Sequence, residues 1–440
     1  MALHESAPAS RPLSDTAGGS PLAAAAWFTE ARVTLVARAM AIAFLLAGLS
    51  TLLLMRDMML SPDRGLGGDF LGVYAAGVLA REGEPAKAYD LDAIVATERR
   101  VLPQADYVLP WPYPPVFQMV ALPLTALPYV WAYALWAALL LALYIATWRG
   151  AFGVGSPAFW LAIGSSGVYV NVLHGQNGLL NAALIGIGLL ALRARPLLAG
   201  IAIGALCYKP QIGLPIGILL LATGQWRAVG GAALSVALLC GASAAVLGLD
   251  VWHAFLDNGA ATQALLENAG LPLSKLGTVF SFARLLGAAP APAYVLQGIV
   301  ALAALALAIQ AWRRPGDETA KLALAAATVP LVPPYLFDYD FAILVLPVGL
   351  LLVDGFRNGW MPWMRTVLLV AWLAPAAAPG LATETNLQIL PLVSIALFWV
   401  AWRRCVRGTT HAHGQPHLVP SANDNVIDRN EGARRDAGGD

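Results

Sequence analysis

Between residues 116 and 402 the chain passes from one apolar run to the next with almost no polar relief. Runs of ~20 apolar residues match the ~30 Å hydrocarbon core of a bilayer. No water reaches that core to satisfy peptide groups, so each run must close its own backbone hydrogen bonds as a helix. The expected fold is an all-α polytopic membrane protein with about twelve transmembrane helices. Only 12% of the 440 residues are charged, against about a quarter in soluble domains, so the charge that a soluble surface needs is missing. The 42 glycines, 30 prolines and 14 tryptophans suit broken helices and interfacial aromatic belts. With 27 basic against 26 acidic residues and a net charge of +1, no bulk electrostatic case exists for a nucleic-acid partner. Cys207 and Cys240 lie in apolar stretches and Cys405 follows a basic cluster, so no structural disulfide is expected.

Three regions follow from the composition. Residues 1–31 are rich in Ala, Ser, Pro and Gly without an apolar leader and cleavage site, and read as a disordered cytoplasmic tail. Residues 32–404 form the multi-pass domain, including a large external loop at 56–115, and residues 405–440 read as a second disordered cytoplasmic tail. Arg32 and Arg38 precede the apolar body of the first span. Later basic positions are Arg149, Arg193 and Arg195, Arg227, Arg313, Arg314 and Lys321, Arg357 and Arg365, and Arg403, Arg404 and Arg407. With about twelve spans these fall in alternate loops, which places both termini in the cytoplasm and 56–115 outside; four Lys against 23 Arg point to a GC-rich bacterial genome, and so to a bacterial inner membrane. That external loop carries nine of the 26 acidic residues, the richest store of carboxylates in the chain.

Two apolar regions have the wrong length for simple spans. Residues 158–192 are interrupted by His174-Gly175-Gln176-Asn177, and 197–223 by Lys209-Pro210-Gln211. Each arm has about 12 to 16 residues, or about 18–24 Å of helix, too short to cross. Each region reads as a helical hairpin whose polar tip stops below the outer interface, or as one long tilted span with its polar residues buried in protein.

Asp69, in Gly67-Gly68-Asp69-Phe70, stands where the external loop meets the apolar run 70–79. A carboxylate at an apolar boundary can act as a base on a hydroxyl; equally, aspartate is a favoured N-cap for a helix starting at Phe70. Lys209 sits well inside an apolar stretch, where a cation costs about 2.5–3.5 kcal/mol. The flanking arms hold no acidic residue, so either a bound phosphate neutralises it or it snorkels to the interface. Lys275 and Arg284 are further external cations near the membrane. His174 has only His253 as a companion outside the tails, which makes a metal site weakly supported, and no cofactor is expected. Trp111-Pro112-Tyr113-Pro114-Pro115 either stacks on a sugar ring or anchors the interface. Asp338 and Asp340 either cap a helix or line the site.

These residues taken together resemble glycosyltransferase family 87, polytopic enzymes of the GT-C architecture. The resemblance spans about 69–402. It is carried by Asp69-Phe70, Tyr74-Ala75-Ala76, Gly83, Ala88-Tyr89-Asp90, Tyr113-Pro114-Pro115, Gly175-Gln176-Asn177, Ala199-Gly200, Lys209-Pro210-Gln211, Pro334-Tyr335 and Tyr339-Asp340. It implies an inverting hexosyltransferase. Such an enzyme moves a sugar, typically mannose and otherwise another hexose or a pentose, from a polyprenyl-phosphate donor to a lipid or glycan acceptor at the outer membrane face. Asp69 matches the family's general base. Lys209, Gln176, His174, Lys275 and Arg284 are then the candidates for holding the donor phosphate, and Tyr74, Tyr113, Tyr335, Tyr339 and Asp340 for binding the sugar or acceptor. Some members carry a histidine where this chain has Asp338-Tyr339. The alternative is a secondary transporter with about twelve spans, although the long loop makes the two halves unlike.

Overall fold

The computed structural model describes residues 27–54, 68–103, 108–259 and 272–407. Most of both expected tails and the start of the external loop lie outside these residues. The described residues are helical apart from loops and one isolated antiparallel bridge, Leu276 with Phe337. The helices in chain order are α1 Glu30–Leu54, α2 Phe70–Arg81, α3 Leu91–Val101, α4 Pro115–Ala121, α5 Tyr129–Phe152, α6 Pro157–Ile163, α7 Ser166–His174, α8 Gly178–Ala191 and α9 Pro196–Gly204. They continue as α10 Pro210–Ala222, α11 Trp226–Leu247, α12 Asp250–Asp257, α13 Val279–Leu285, α14 Pro290–Arg313, α15 Glu318–Thr328, α16 Val345–Asn358, α17 Met364–Thr385 and α18 Leu390–Arg407. Helix α18 runs three residues past the boundary expected at 404, and it buries Cys405.

Among the described residues, six helices are long and apolar enough to cross a membrane: Glu30–Ser50, Tyr129–Phe152, Trp226–Leu247, Pro290–Arg313, Asp338–Asn358 and Met364–Thr385. Leucines stand more than half exposed along α1, α11 and α14, as lipid-facing surfaces require. The segment Asp338–Asn358 is instead almost wholly buried, so it runs through the middle of the bundle. This central position brings a polar stretch from late in the chain to the helices of its first half.

Side-chain contacts set the helix directions. The Tyr133 hydroxyl donates to the Val172 carbonyl and the Tyr144 hydroxyl to that of Ala162, so α5 is antiparallel to α6 and α7. Gly175 lies against Tyr133 and Gly186 against Trp148, so α8 runs back parallel to α5. Gly188 faces Ile203 while Gly213 faces Leu206, so α9 reverses α8 and α10 reverses α9. Both interrupted regions are therefore hairpins rather than single tilted spans. Their tips, at Gly175-Gln176-Asn177 and at Lys209, end at the same level. Gly175 is required there twice over: its φ of +66° is left-handed, and a Cβ would come within 2.6 Å of Phe70 Cβ.

The basic loops collect at the opposite end. Arg313 donates to the Ala222 carbonyl at the close of α10 (2.7 and 3.0 Å). Arg404 on α18 pairs with Asp354 on α16 at 2.6 Å. Phe28, before α1, packs on Phe356 and Trp360.

The described part of the segment 56–115 is packed helix rather than open loop. Helix α2 is buried from Phe70 to Leu79. Asp90 caps α3 by accepting from Ala93 N at 2.9 Å, and Gln118 of α4 donates to the carbonyls of Ala76 and Pro85, both at 3.0 Å. Glu98 of α3 is 1% exposed. One of its oxygens accepts from Leu109 N at 3.3 Å, and the other has no hydrogen-bond partner among the described residues. Burial pushes its carboxyl up to about 7. A raised carboxylate favours the fold only while protonated, so its contribution is whole below about pH 4.5 and is lost as pH rises through about 7. Hydrogen exchange of α2 and α3 is expected to show roughly 2 kcal/mol less protection at pH 8 than at pH 4.5, after allowance for partial solvation. Glu98→Gln is expected to flatten that dependence. An unchanged pH response in the variant would assign it to another group.

Candidate active site

Asp69 occupies the N-cap position of α2, yet its side chain makes no capping bond. It accepts instead from Gln176 Nε2 at 2.7 Å, across 107 residues of sequence. The carboxylate is partly exposed and is held by the tip of the first hairpin. Of the two roles open to Asp69 in the sequence, the capping one is thus not used.

Beside it lies a buried polar network. Asn177, next to Gln176, donates to the Tyr113 hydroxyl at 3.0 Å. Lys209 Nζ, at the second tip, donates to Asn177 Oδ1 at 3.3 Å and to both oxygens of Asp340 at 2.6 and 2.8 Å. Asn181, one turn after Asn177 on the same face of α8, donates to Asp340 Oδ1 at 2.9 Å and accepts from the Tyr208 hydroxyl. Asp340 Oδ2 also accepts from Phe337 N at 3.3 Å, closing the helical turn that begins Asp338–Leu344. The Lys209 ammonium stands 4.8 Å from the centre of the Tyr339 ring.

A phosphate is therefore not needed to neutralise Lys209, nor does the side chain snorkel. Its flanking arms hold no carboxylate, and the partner, Asp340, comes from the buried central segment 131 residues onward. The pair is 4% and 0% exposed. Asp340, expected at the sugar or acceptor, is instead fully buried in this arrangement and paired with Lys209.

Several other candidate residues are engaged elsewhere. The Tyr74 hydroxyl donates to the Leu127 carbonyl at 2.8 Å, and its ring packs on Phe70 and Tyr129. The Tyr335 hydroxyl bonds that of Tyr294 in a small cluster with Phe280. Arg284 Nη1 donates to the Ala288 carbonyl at 2.8 Å just past α13. Lys275 is exposed, and it lies with His174 within electrostatic reach of Asp338. Asp69, Asp338 and Asp340 all act electrostatically on the Tyr339 phenol. Asp69, Gln176, His174, Tyr113, Tyr339 and Lys275 thus share one end of the bundle. The aromatic cluster keeps both readings in part: Tyr113 packs on Trp111 and Phe117 at centroid distances of 5.0 and 4.7 Å while its hydroxyl faces the polar network. Asn181 and Tyr208 were not singled out in the sequence. The available signal was Asn181 as the lone polar residue of α8, four positions after Asn177.

The fold and this site define a helical membrane protein with a partly exposed carboxylate poised at the tips of two hairpins. The family model for glycosyltransferase family 87 matches residues 111–334, half of the chain, and the chain belongs to that family. It is a membrane glycosyltransferase. No curated protein and no solved structure matches it. The matched region holds both hairpin tips but neither Asp69 nor Asp340; Gln176 joins the first carboxylate to it, and Lys209 and Asn181 join the second.

Proposed function

We propose that this chain is an inverting transferase of the GT-C type. Its donor is a polyprenyl-phosphate sugar, with mannose the first candidate and another hexose or a pentose next, and its acceptor is a lipid or glycan at the outer face of the bacterial cytoplasmic membrane. The observation that carries the reading is the Asp69 carboxylate, released from capping and aimed by Gln176 at 2.7 Å. A general base has to reach the hydroxyl it deprotonates while staying oriented. Asp69 takes the acceptor's hydroxyl proton as that oxygen attacks the anomeric carbon. The bond from that carbon to the donor phosphate oxygen breaks on the opposite face, and polyprenyl phosphate leaves with the electron pair.

The placement of charge supports the same orientation. Arginine-rich loops gather at the end away from Asp69, as cytoplasmic loops do, so Asp69 faces outward and both termini lie inside. Twelve passes follow if each arm of the two hairpins counts as one. A lipid-linked donor suits short hairpins, because its phosphate rests at the interface where their tips end. Lys275 and His174, beside Asp338, are the side chains we assign to the leaving phosphate.

The test is reconstitution in liposomes with a short-chain polyprenyl-phosphate hexose and total membrane lipid as acceptor source. Formation of a glycosylated product with release of polyprenyl phosphate is expected, and none with a nucleotide sugar alone. The reverse pattern overturns the donor assignment. Gln176→Leu, which frees Asp69 to rotate, is expected to lower kcat about tenfold with the donor KM unchanged. A raised KM with normal kcat would make Gln176 a donor ligand instead.

A further inference from the structure

We propose that Lys209 and Asp340 form an internal lock that positions the site, and that Lys209 is not a ligand of the donor phosphate. The proposal refines the transferase reading above and rests on it for the kinetic part only. Lys209 Nζ spends its donors on both Asp340 oxygens and on Asn177 Oδ1, and its side chain is 4% exposed. An ammonium has three donors, so none remains for an incoming phosphate. Asp340 is equally committed, to Lys209, Asn181 and Phe337 N.

What the lock does follows from the bonds beyond it. Because Nζ takes the oxygen of the Asn177 amide, the Asn177 nitrogen must point the other way, and it meets the Tyr113 hydroxyl. The preceding residue is Gln176, whose amide holds Asp69. One buried ion pair therefore ties the second tip to the central segment and fixes the residue beside the one that aims the carboxylate. The first tip is clamped to the same segment independently. Asn171 Nδ2 donates to the Tyr339 carbonyl at 2.9 Å and its Oδ1 accepts from Gly178 N at 2.6 Å. Lys209 and Asp340 are positioning residues: they act on Asp69 through Asn177 and Gln176 without touching substrate.

A buried ion pair and a phosphate ligand respond differently to removal of both charges. Losing one partner leaves the other charged and unsolvated, whereas losing both is well tolerated. The experiment compares Lys209→Met, Asp340→Asn and the double variant in the full-length protein, by melting in detergent and by kcat and donor KM in liposomes. Each single variant is expected to melt lower by at least about 5 °C, and the double variant to recover most of that loss. The double variant is expected to keep donor KM within about threefold and to lose about tenfold in kcat. A double variant as unstable as the singles overturns the lock. So does a donor KM raised tenfold or more in the double variant, which would return Lys209 to the phosphate. The melting comparison needs no substrate, so it reads the lock even where Asp69 proves not to be the base.

Discussion

Replacing Asp69 by asparagine is expected to lower sugar transfer about 10²- to 10⁴-fold, the span that general-base catalysis supplies. The substitution is close to isosteric. Asparagine keeps an oxygen that can accept from Gln176 Nε2, and because Asp69 makes no capping bond, α2 loses nothing at its start. Insertion and donor KM should therefore match the unaltered protein, with the whole effect in kcat. Single-turnover measurement in liposomes checks this. Turnover by Asp69→Asn at the normal rate would remove the carboxylate from the reaction. A rate loss accompanied by failed insertion would show instead that Asp69 supports the fold.

The second large effect concerns the floor beneath the second tip. Helices α9 and α11 approach backbone to backbone. A Cβ on Gly200 would stand 1.9 Å from the Ala228 carbonyl oxygen, one on Gly204 2.4 Å from that of Ala232, and one on Gly231 2.3 Å from that of Leu197. Small residues four apart are what allow helices to pack this closely in a membrane. The nearest obstacle is backbone in each case, so no rotamer change relieves it. Gly200→Ala is expected to cost about 3 kcal/mol, the upper end of the range for overpacking. Since α9 leads through Ala205–Tyr208 to Lys209, the displacement also reaches the lock. Gly217→Ala is the control, because nothing lies within 4 Å of its added carbon. It should be neutral, or stabilising by up to about 1 kcal/mol through helix propensity. Melting in detergent separates the two, and equal melting temperatures would contradict the close approach.

Those two sites also mark how far the sequence could be read. The hairpins were legible because a polar tip interrupts a run too short to cross, and the base candidate because a carboxylate stands at an apolar boundary. Both judgements use residues close together in sequence. Lys209 shows where this stops. Its isolation among apolar residues correctly demanded an anion, but the choice between a phosphate and a carboxylate depended on which distant segment runs through the bundle centre, and local pattern carries no such information. The same limit applies to Tyr74 and Tyr335. Tyrosine beside a candidate site invites a binding role, while the actual partners, the Leu127 carbonyl and the Tyr294 hydroxyl, are set by packing. The segment 56–115 was visible as acidic and polar overall. Its folding into a buried α2 with α3 over it depended on Gln118 meeting the Ala76 and Pro85 carbonyls far away in sequence. Asn181 was overlooked because a single polar residue in an apolar helix gains meaning only when its partner is known.

The most direct measurement is mass spectrometry of envelope lipids and glycans from cells that carry the unaltered protein, the Asp69→Asn variant or no protein. One hexose or pentose is expected on a single acceptor class with the unaltered protein alone, with polyprenyl-phosphate sugar accumulating in the other two. Restoration of that sugar by Asp69→Asn, or sugar taken up into vesicles with no new glycosidic bond formed, would contradict the account.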